Sequence, residues 1–363
     1  RHTRSFHVTG VQTCALPILS FGNPQFGTWK DASGTERWVV FLTSGYNNVP
    51  STGFGGDGKG YLYVVDVASG QVLSKTSTNV GDTTTPSGLA KITAITNNPL
   101  TDPLVTYVYG GDNQGKMWRF DFTAGGNPTV LQMGDAGTGQ PVTSRPEVTL
   151  CQVTSTDASG LTTVGAQKVV VFGTGRLLDL PDIPDTTKQS VYVLKDSGAG
   201  IGAASWRNST SMVQQSLARP AGTQAYTISG PAVNLGSKAG WFFDLDQNAG
   251  ERVNLDPKVA AGTLTVVSNI PSSSSSCKVG GSSNVYQLNV CTAAPVNTQQ
   301  GIGAIAGQSL SGNSAAVGFI IVRLPSGALK MVTTTADGNT ITSSVARASD
   351  AEAHRAGWRR VRN

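Results

Sequence analysis

The chain has 363 residues, of which 38% are hydrophobic and only 13% are charged, and its formal net charge is +5. The apolar residues come in organised runs, so the composition excludes an intrinsically disordered chain. The whole basic excess lies in residues 1–18 and 347–363, and the neutral body between them lacks the basic face that nucleic-acid binding requires. No apolar run reaches the ~18 residues of a transmembrane helix.

Histidine usage narrows the possible chemistry. The three histidines are His2, His7 and His354, so the body has none. This excludes a Ser-His-Asp or Cys-His catalytic group and a histidine-based metal site from the body. Acid–base chemistry there would fall to carboxylates, lysine or tyrosine.

The first residues differ in composition and in strand pattern from the rest of the chain. They begin with Arg1 and carry a short apolar run that is broken by polar residues and Pro17, with no cleavage site of the signal-peptide type after it. We interpret residues 1–18 as a non-native segment translated from sequencing adapter. The predicted domain is therefore 19–346, followed by a basic tail at 347–363.

In chain order, the body alternates two kinds of predicted strand. The first is an apolar, β-branched run that ends in glycine, and the second begins near glycine, carries aromatic residues and ends in a tight turn. The first kind occurs at 37–48, 104–115 and 168–176, and the second at 58–73, 115–131 and 188–200. Looser versions follow at 239–255, 262–270, 282–290 and 315–332.

Repetition of this unit predicts an all-β fold, and within that class a β-propeller with incomplete or irregular blades. The aromatic landmarks of the units are spaced more widely than the ~40–50 residues of a regular blade, so loops are decorated or blades are skipped; they are Tyr61, Trp118, Tyr192 and Tyr286. A β-sandwich or a solenoid is the alternative architecture. Only residues 205–218 show a weak helical periodicity.

Two sets of side chains are explained by the fold rather than by a site. Tryptophans on blade strands are expected in the core and not on a carbohydrate-binding face; they are Trp29, Trp38, Trp118, Trp206, Trp241 and Trp358. Four aspartates recur beside turns, and we expect them to cap those turns rather than act as paired acids; they are Asp57, Asp66, Asp112 and Asp121.

The four cysteines are Cys14, Cys151, Cys277 and Cys291, and none has C-x-x-C metal spacing. Cys277 and Cys291 flank a strand-like run, so a disulfide across one hairpin is the simplest prediction, and it implies an oxidising compartment. The alternative is two free or buried thiols. Cys151 has no evident partner in the body.

The most specific phrase in the chain is VYGGDNQGKMWRFDF, at 108–122. It resembles the G-G-D-x-x-G-x-x-W-R-F-D blade signature of the PilY-type biogenesis factors of bacterial type IV pili. The signature residues are Gly110, Gly111, Asp112, Gly115, Trp118, Arg119, Phe120 and Asp121. Segments on both sides resemble the same family in the same order, over 35–363.

The resemblance implies the C-terminal propeller of an exported protein, located in the periplasm, on the outer-membrane surface or at the pilus tip. Such proteins promote pilus assembly and extension, oppose retraction, associate with minor pilins, and act as adhesins toward a surface or host receptor in attachment and twitching motility. They are not enzymes, and no cofactor is expected. The alternatives are a periplasmic scaffold propeller and a quinoprotein-type dehydrogenase, which commonly carries an adjacent cysteine pair that this chain lacks.

Some members of that family bind calcium in the loop before the signature strand, and this sequence departs there. If calcium bound, the ligands would be Asn97, Asn98 and Asp102. A calcium loop needs several carboxylate ligands and a glycine for its sharp turn, and this segment has one carboxylate and no glycine. We therefore expect a polar loop with Asx-turns. The segment 244–250 matches a D-x-D-x-N pattern, but its glycine comes one position late, and a strand end that runs into a turn is favoured.

Overall fold

The structure is a computed structural model that describes residues 22–46, 48–50, 55–156, 159–160, 162–200, 206–207, 210–275, 278–312 and 314–348. Within those residues every regular element is a β-strand, except for one short 3₁₀ helix at Leu180–Asp182. The predicted all-β class is therefore confirmed. The domain limits at 19 and 346 stay a prediction, and the segment 1–18 lies outside the described residues.

The first two sheets are four-stranded blades built from consecutive antiparallel strands. The first blade contains β1 (Gln25–Lys30), β2 (Glu36–Thr43), β3 (Tyr61–Asp66) and β4 (Val72–Ser77). The second blade contains β5 (Ile92–Thr96), β6 (Val105–Gly111), β7 (Lys116–Asp121) and β8 (Thr129–Asp135). Leu62 and Val64 of β3 share one face and are fully buried, as the two-residue period of a strand requires.

Turns in these blades use aspartate and glycine. Asp66 Oδ1 accepts a hydrogen bond from the Ser69 backbone N–H at 2.7 Å, and Gly70 has a φ of 71°, a conformation that glycine adopts freely. Asp121 Oδ1 accepts from the Thr123 backbone N–H at 3.0 Å in the same way. The prediction that these aspartates cap turns is confirmed.

The two blades pack face to face through a shared apolar core. Val39 and Phe41 of β2 lie in one buried cluster with Val108 of β6 and Phe120 of β7. Phe41 also meets Phe122 edge to face, with ring centroids 5.5 Å apart. Burial of such large side chains is the main stabilising contribution at a blade interface.

The remaining strands continue along the chain. They are β9 (Glu147–Thr156), β10 (Thr162–Gly173), β11 (Ser190–Lys195), β12 (Met212–Ala218), β13 (Ala225–Ser229), β14 (Gly240–Asp244), β15 (Lys258–Ala260), β16 (Thr263–Ser275), β17 (Lys278–Asn289), β18 (Asn297–Gln299), β19 (Gly303–Ile305), β20 (Gly307–Ser309), β21 (Ala316–Arg323), β22 (Leu329–Thr335) and β23 (Thr340–Val345). Strands β18 and β19 form a two-stranded sheet, and β21 to β23 form a three-stranded one.

A ten-stranded sheet makes the fold irregular. Its order is β15-β16-β17-β20-β13-β12-β14-β11-β10-β9. Strand β12 runs parallel to β14, with Met212 opposite Gly240, and so joins strand groups that a regular propeller keeps as separate blades. The weak helical pattern at 205–218 is wrong for β12, where Gln215 and Leu217 are buried and their neighbours are exposed with the period of a strand.

Most tryptophans lie in the core, as expected. The buried ones are Trp29, Trp118, Trp206 and Trp241. Trp38 departs from the expectation because it is 55% exposed; it lies on the face of β2 opposite to buried Val39. Trp358 lies outside the described residues.

The disulfide joins Cys151 to Cys291, with their Cα atoms 5.6 Å apart. The predicted Cys277–Cys291 bond is therefore wrong, and Cys277 itself lies outside the described residues. The physical reason is the length of the hairpin, because β17 runs for 12 residues from Lys278 to Asn289, which is roughly 36 Å. Cys291 therefore lies at the far end of β17 from the hairpin turn, and it meets β9 instead.

Candidate functional site

The signature phrase forms the β6–β7 hairpin of the second blade. Gly110 and Gly111 end β6, the turn spans 112–115, and Trp118 to Asp121 lie on β7. Gly110 lies opposite Trp118 in the strand register. The signature is therefore one continuous structural unit.

Asp112 holds the turn of this hairpin together. It is completely buried, and its Oδ1 accepts hydrogen bonds from the backbone N–H groups of Gln114 and Lys116, both at 2.9 Å. Its Oδ2 accepts from Trp118 Nε1 at 2.9 Å. Burial raises the pKa of Asp112 to about 7, and these hydrogen bonds oppose that shift. Each carboxylate oxygen has a partner, so Asp112 is a structural group.

The signature glycines make room for close packing. A Cβ atom on Gly111 would lie 2.3 Å from Val142 Cγ1, and one on Gly115 would lie 2.3 Å from the backbone oxygen of Gly137. Gly115 also has a φ of 84°, which disfavours any residue with a side chain. These positions need glycine because backbone and side chains of neighbouring loops lie against them.

Arg119 connects the second blade to the ten-stranded sheet. Its Nη1 donates to Asp196 Oδ1 at 2.6 Å, and Tyr109 Oη donates to Asp196 Oδ2 at 2.5 Å. Asp196 follows β11, so the contact crosses from one sheet to the next. Burial, reinforced by Asp196, raises the pKa of Tyr109 above its ordinary value. The ion pair is buried, and each charge depends on the other.

A cation–π contact borders this network. Lys168 Nζ lies 3.7 Å from the centre of the Tyr107 ring, and Arg119 lies 5.3 Å from the same ring. Burial lowers the pKa of Lys168, and Asp196 opposes that shift. These polar and aromatic side chains therefore pack between the second blade and the ten-stranded sheet.

The loop predicted as the weak calcium candidate uses its oxygens on its own backbone. Asn98 Oδ1 accepts from the Leu100 N–H at 3.1 Å, and Asp102 Oδ1 accepts from the Leu104 N–H at 2.9 Å. Asn97 is exposed. The Asx-turn alternative is confirmed for Asn98 and Asp102, and the expectation that calcium does not bind here stays a prediction.

The segment 244–250 is a strand end followed by a turn, as favoured. Asp244 ends β14 and accepts from Arg207 Nη2 at 2.9 Å and from Ser190 Oγ at 2.6 Å. Gly250 has a φ of 77°. Among the described residues no group of three or more His, Cys, Asp or Glu side chains is placed to hold a metal ion.

The described part of the chain has no helix with the length and hydropathy that crossing a membrane requires.

Comparison with known proteins decides which family carries this signature. The family described as the PilY1 β-propeller domain matches residues 17–228, more than half of the chain. This chain belongs to the PilY1 β-propeller family. The family resemblance predicted from the signature hairpin and its neighbouring strands is thereby confirmed.

Curated relatives support the assignment at moderate identity. The chain is 25% identical over 304 residues to a type IV pilus biogenesis factor PilY1 homolog of Xylella fastidiosa, covering 76% of this chain and 19% of that protein. It is 26% identical over 303 residues to the type IV pilus biogenesis factor PilY1 of Pseudomonas aeruginosa, covering 70% of this chain and 24% of that protein. The chain thus spans about a fifth to a quarter of the length of these relatives.

A solved structure confirms the fold. The crystal structure of the Pseudomonas aeruginosa PilY1 C-terminal domain matches with a TM-score of 0.61 and 20% sequence identity, covering 90% of this chain and 72% of that one. The irregular propeller predicted from the repeated strands is confirmed.

Reasoning from the sequence missed two buried polar groups. Asp196, the partner of Arg119, could have been found, because the aromatic strands at Asp66 and Asp121 also end in aspartate. Glu251 is buried and accepts hydrogen bonds from Asn284 at 2.9 Å and Tyr286 at 2.8 Å. No sequence motif marks Glu251, because most of its partners lie on β16 and β17 and come together only in the fold.

Proposed function

We propose that this chain is the propeller of a type IV pilus biogenesis factor, and that it works as an assembly and adhesion module rather than as an enzyme. The observation that carries the proposal is the family match over 17–228. Relatives named type IV pilus biogenesis factors support it. Because the chain covers only part of those relatives, the proposal concerns what the propeller contributes to the larger protein.

The proposed location is the exported side of the cell, either the periplasm, the outer-membrane surface or the pilus tip. The Cys151–Cys291 disulfide supports it, because structural disulfides persist in oxidising compartments. The proposed partners are minor pilins of the tip complex, together with a receptor on the surface that the cell attaches to. No cofactor is assigned.

The proposed role in the pilus is to favour extension and oppose retraction. A buried ion pair and two apolar clusters that connect successive sheets support this role, because they oppose local opening between the sheets. A rigid module transmits binding at one face to the rest of a tip complex without unfolding first.

The test is an in-frame deletion of the coding sequence for residues 22–348 from the chromosomal gene, with surface pili counted by electron microscopy. The deletion is made in a retraction-competent strain and in one that lacks the retraction ATPase, and the intact gene in trans is the control. Loss of pili in both strains supports a role in assembly. Loss only in the retraction-competent strain supports a role against retraction, and unchanged pili in both would overturn the proposal.

A further inference from the structure

A cleft of about 210 Å³ lies between the β18–β19 hairpin, the β17–β20 pair and β23. It is open to solvent on one side and is formed where three different sheets meet. The space suits one small ring-sized ligand rather than an extended chain.

Polar groups that point into this cleft lack protein partners in the described part of the chain. Gln287 is 5% exposed, and its Oε1 accepts from Asn297 Nδ2 at 2.6 Å. No described group accepts from Gln287 Nε2 or donates to Asn297 Oδ1. The Ser343 hydroxyl is buried and has no hydrogen-bond partner. One amide donor and one amide acceptor therefore remain unused in the cleft, whereas the Ser343 hydroxyl is shielded from solvent.

Buried polar groups without partners are uncommon, because a buried donor or acceptor that makes no hydrogen bond destabilises the fold. The neighbouring serine on β23 differs, since Ser344 Oγ accepts from Lys330 Nζ at 2.8 Å. Eight other buried side-chain atoms of the described residues also have no partner, so the Ser343 hydroxyl does not by itself mark a site. The Gln287 side chain is nearly buried, yet its Nε2 and the neighbouring Asn297 Oδ1 have no partner among the described residues, so these two amide groups are available to a ligand in the cleft.

The lining specifies the chemistry of the ligand. Its polar members are amides and hydroxyls, including Thr298 and Gln308, and its apolar members are Val285 and Ile305. Among the described residues, no charged side chain lines it. A site of neutral donors and acceptors over an aliphatic floor complements a neutral ligand that has several hydroxyl groups and one C–H face.

We infer that this cleft binds a single neutral sugar unit, such as a hexose or an N-acetylhexosamine of a surface glycan. Gln287 Nε2 donates to a sugar oxygen, and Asn297 Oδ1 accepts from a sugar hydroxyl. This inference deepens the proposed adhesive role and rests on it for its biological meaning. The binding itself is a property of the chain and is tested separately from pilus assembly.

The test is saturation-transfer-difference NMR on the purified full chain with D-glucose, D-galactose, N-acetyl-D-glucosamine and N-acetyl-D-galactosamine. Single sugars bind weakly, so each is titrated to about 100 mM, where a ligand with a Kd near 10 mM is mostly bound. We expect saturable binding of at least one neutral sugar. In Gln287→Leu and Asn297→Leu the affinity for it should fall about three- to tenfold, as expected for loss of one neutral hydrogen bond.

The matched control is Gln299→Ala, an exposed position on the same hairpin that does not line the cleft. It should bind the sugar like the unaltered chain. A Ser-Gly-Ser-Gly peptide and N-acetylneuraminic acid are titrated alongside. Absence of binding to all four neutral sugars, or binding only to the peptide or the charged sugar, would overturn the inference.

Failure of this inference and failure of the proposed function give different results. A chain that binds no sugar but whose deletion removes pili keeps its pilus role and loses the sugar site. A chain that binds sugar but whose deletion leaves pili unchanged keeps the site and loses the pilus role.

Discussion

The signature hairpin and the sugar cleft differ in whether their polar groups have hydrogen-bond partners within the protein. In the hairpin, both carboxylate oxygens of Asp112 are bonded to groups of the same hairpin. In the cleft, Gln287 Nε2 and Asn297 Oδ1 have no partner among the described residues. The contrast teaches that the most recognisable phrase of the family is framework, whereas the groups free to bind a ligand lie in a stretch without a motif.

The largest expected effect comes from the disulfide that joins distant strands of the ten-stranded sheet. Cys151 lies on β9, and Cys291 follows β17, which lines the cleft. The bond closes a sequence separation of 140 residues, and loss of such a loop constraint costs about 5 kcal/mol in the chain-entropy account. Cys151→Ala should therefore lower the free energy of unfolding by that order, measured by urea denaturation under oxidising conditions.

The control for this prediction is Cys277→Ala, which should leave the free energy of unfolding unchanged. If Cys277→Ala instead lowered the free energy of unfolding by that amount and Cys151→Ala did not, the disulfide predicted from the sequence would be the correct one.

The next-largest effect tests whether Arg119, the arginine of the signature, has a structural role. Arg119→Met removes the cation that Asp196 contacts at 2.6 Å and leaves a buried carboxylate with fewer partners. Breaking a buried ion pair from one side costs about 3–5 kcal/mol. Arg219→Met is the matched control on an exposed arginine, and it should change stability by less than about 0.5 kcal/mol. Equal stabilities of the two variants would contradict a structural role.

A smaller effect is expected at Asp112. In Asp112→Asn an amide group replaces one carboxylate oxygen and faces either the Trp118 N–H or the two backbone N–H groups, so at least one hydrogen bond is lost. The expected cost is about 1–3 kcal/mol, measured by chemical denaturation near pH 5.

The pH dependence of that difference sharpens the test. The pKa of Asp112 is about 7 in the folded chain and about 3.9 when unfolded. Its protonated form is thus favoured by folding, and this stabilisation is fully present below about pH 4 and is lost as the pH rises through 7. The advantage of the unaltered chain over Asp112→Asn should shrink from pH 5 to pH 8. An advantage that grows would mean that the carboxylate form is favoured in the fold.

The smallest expected effect lies in the cleft. Ser343→Ala removes a buried hydroxyl that has no partner, so the free energy of unfolding should stay the same or rise slightly, within about 0.5 kcal/mol. Thr335→Val is the contrasting variant on β22, because Thr335 Oγ1 donates to Asp337 at 2.6 Å and its loss should cost about 1 kcal/mol. A clear loss in Ser343→Ala would show that its hydroxyl has a structural partner.

Local features of the fold were predictable from the sequence. Glycine-ended apolar runs and aromatic strands became β2, β3, β6, β7, β10 and β11, because strand patterning and turn chemistry act over a few residues. Asp66 and Asp121 cap turns as predicted. The signature phrase identified the family because it occupies one uninterrupted hairpin.

Features that depend on distant pairing were not predictable. The Cys151–Cys291 bond and the parallel pairing of β12 with β14 both follow from the order of the ten-stranded sheet. The residues adjacent in sequence do not determine that order. Trp38 is exposed because of the face that it occupies, not because of its residue type. The cleft combines Gln287, Asn297 and Ser343 from three separate strands, so no spacing in the sequence marks it.

The most direct test of the central claim counts surface pili on cells that carry either Asp112→Asn or Ser343→Ala, with the level of folded chain measured by protease resistance. If the signature is framework, pili in Asp112→Asn fall in proportion to the folded chain. Ser343→Ala then keeps both at the unaltered level. A folded Asp112→Asn chain at normal level on cells without pili would contradict the account, because the signature hairpin would then contact a pilus partner directly.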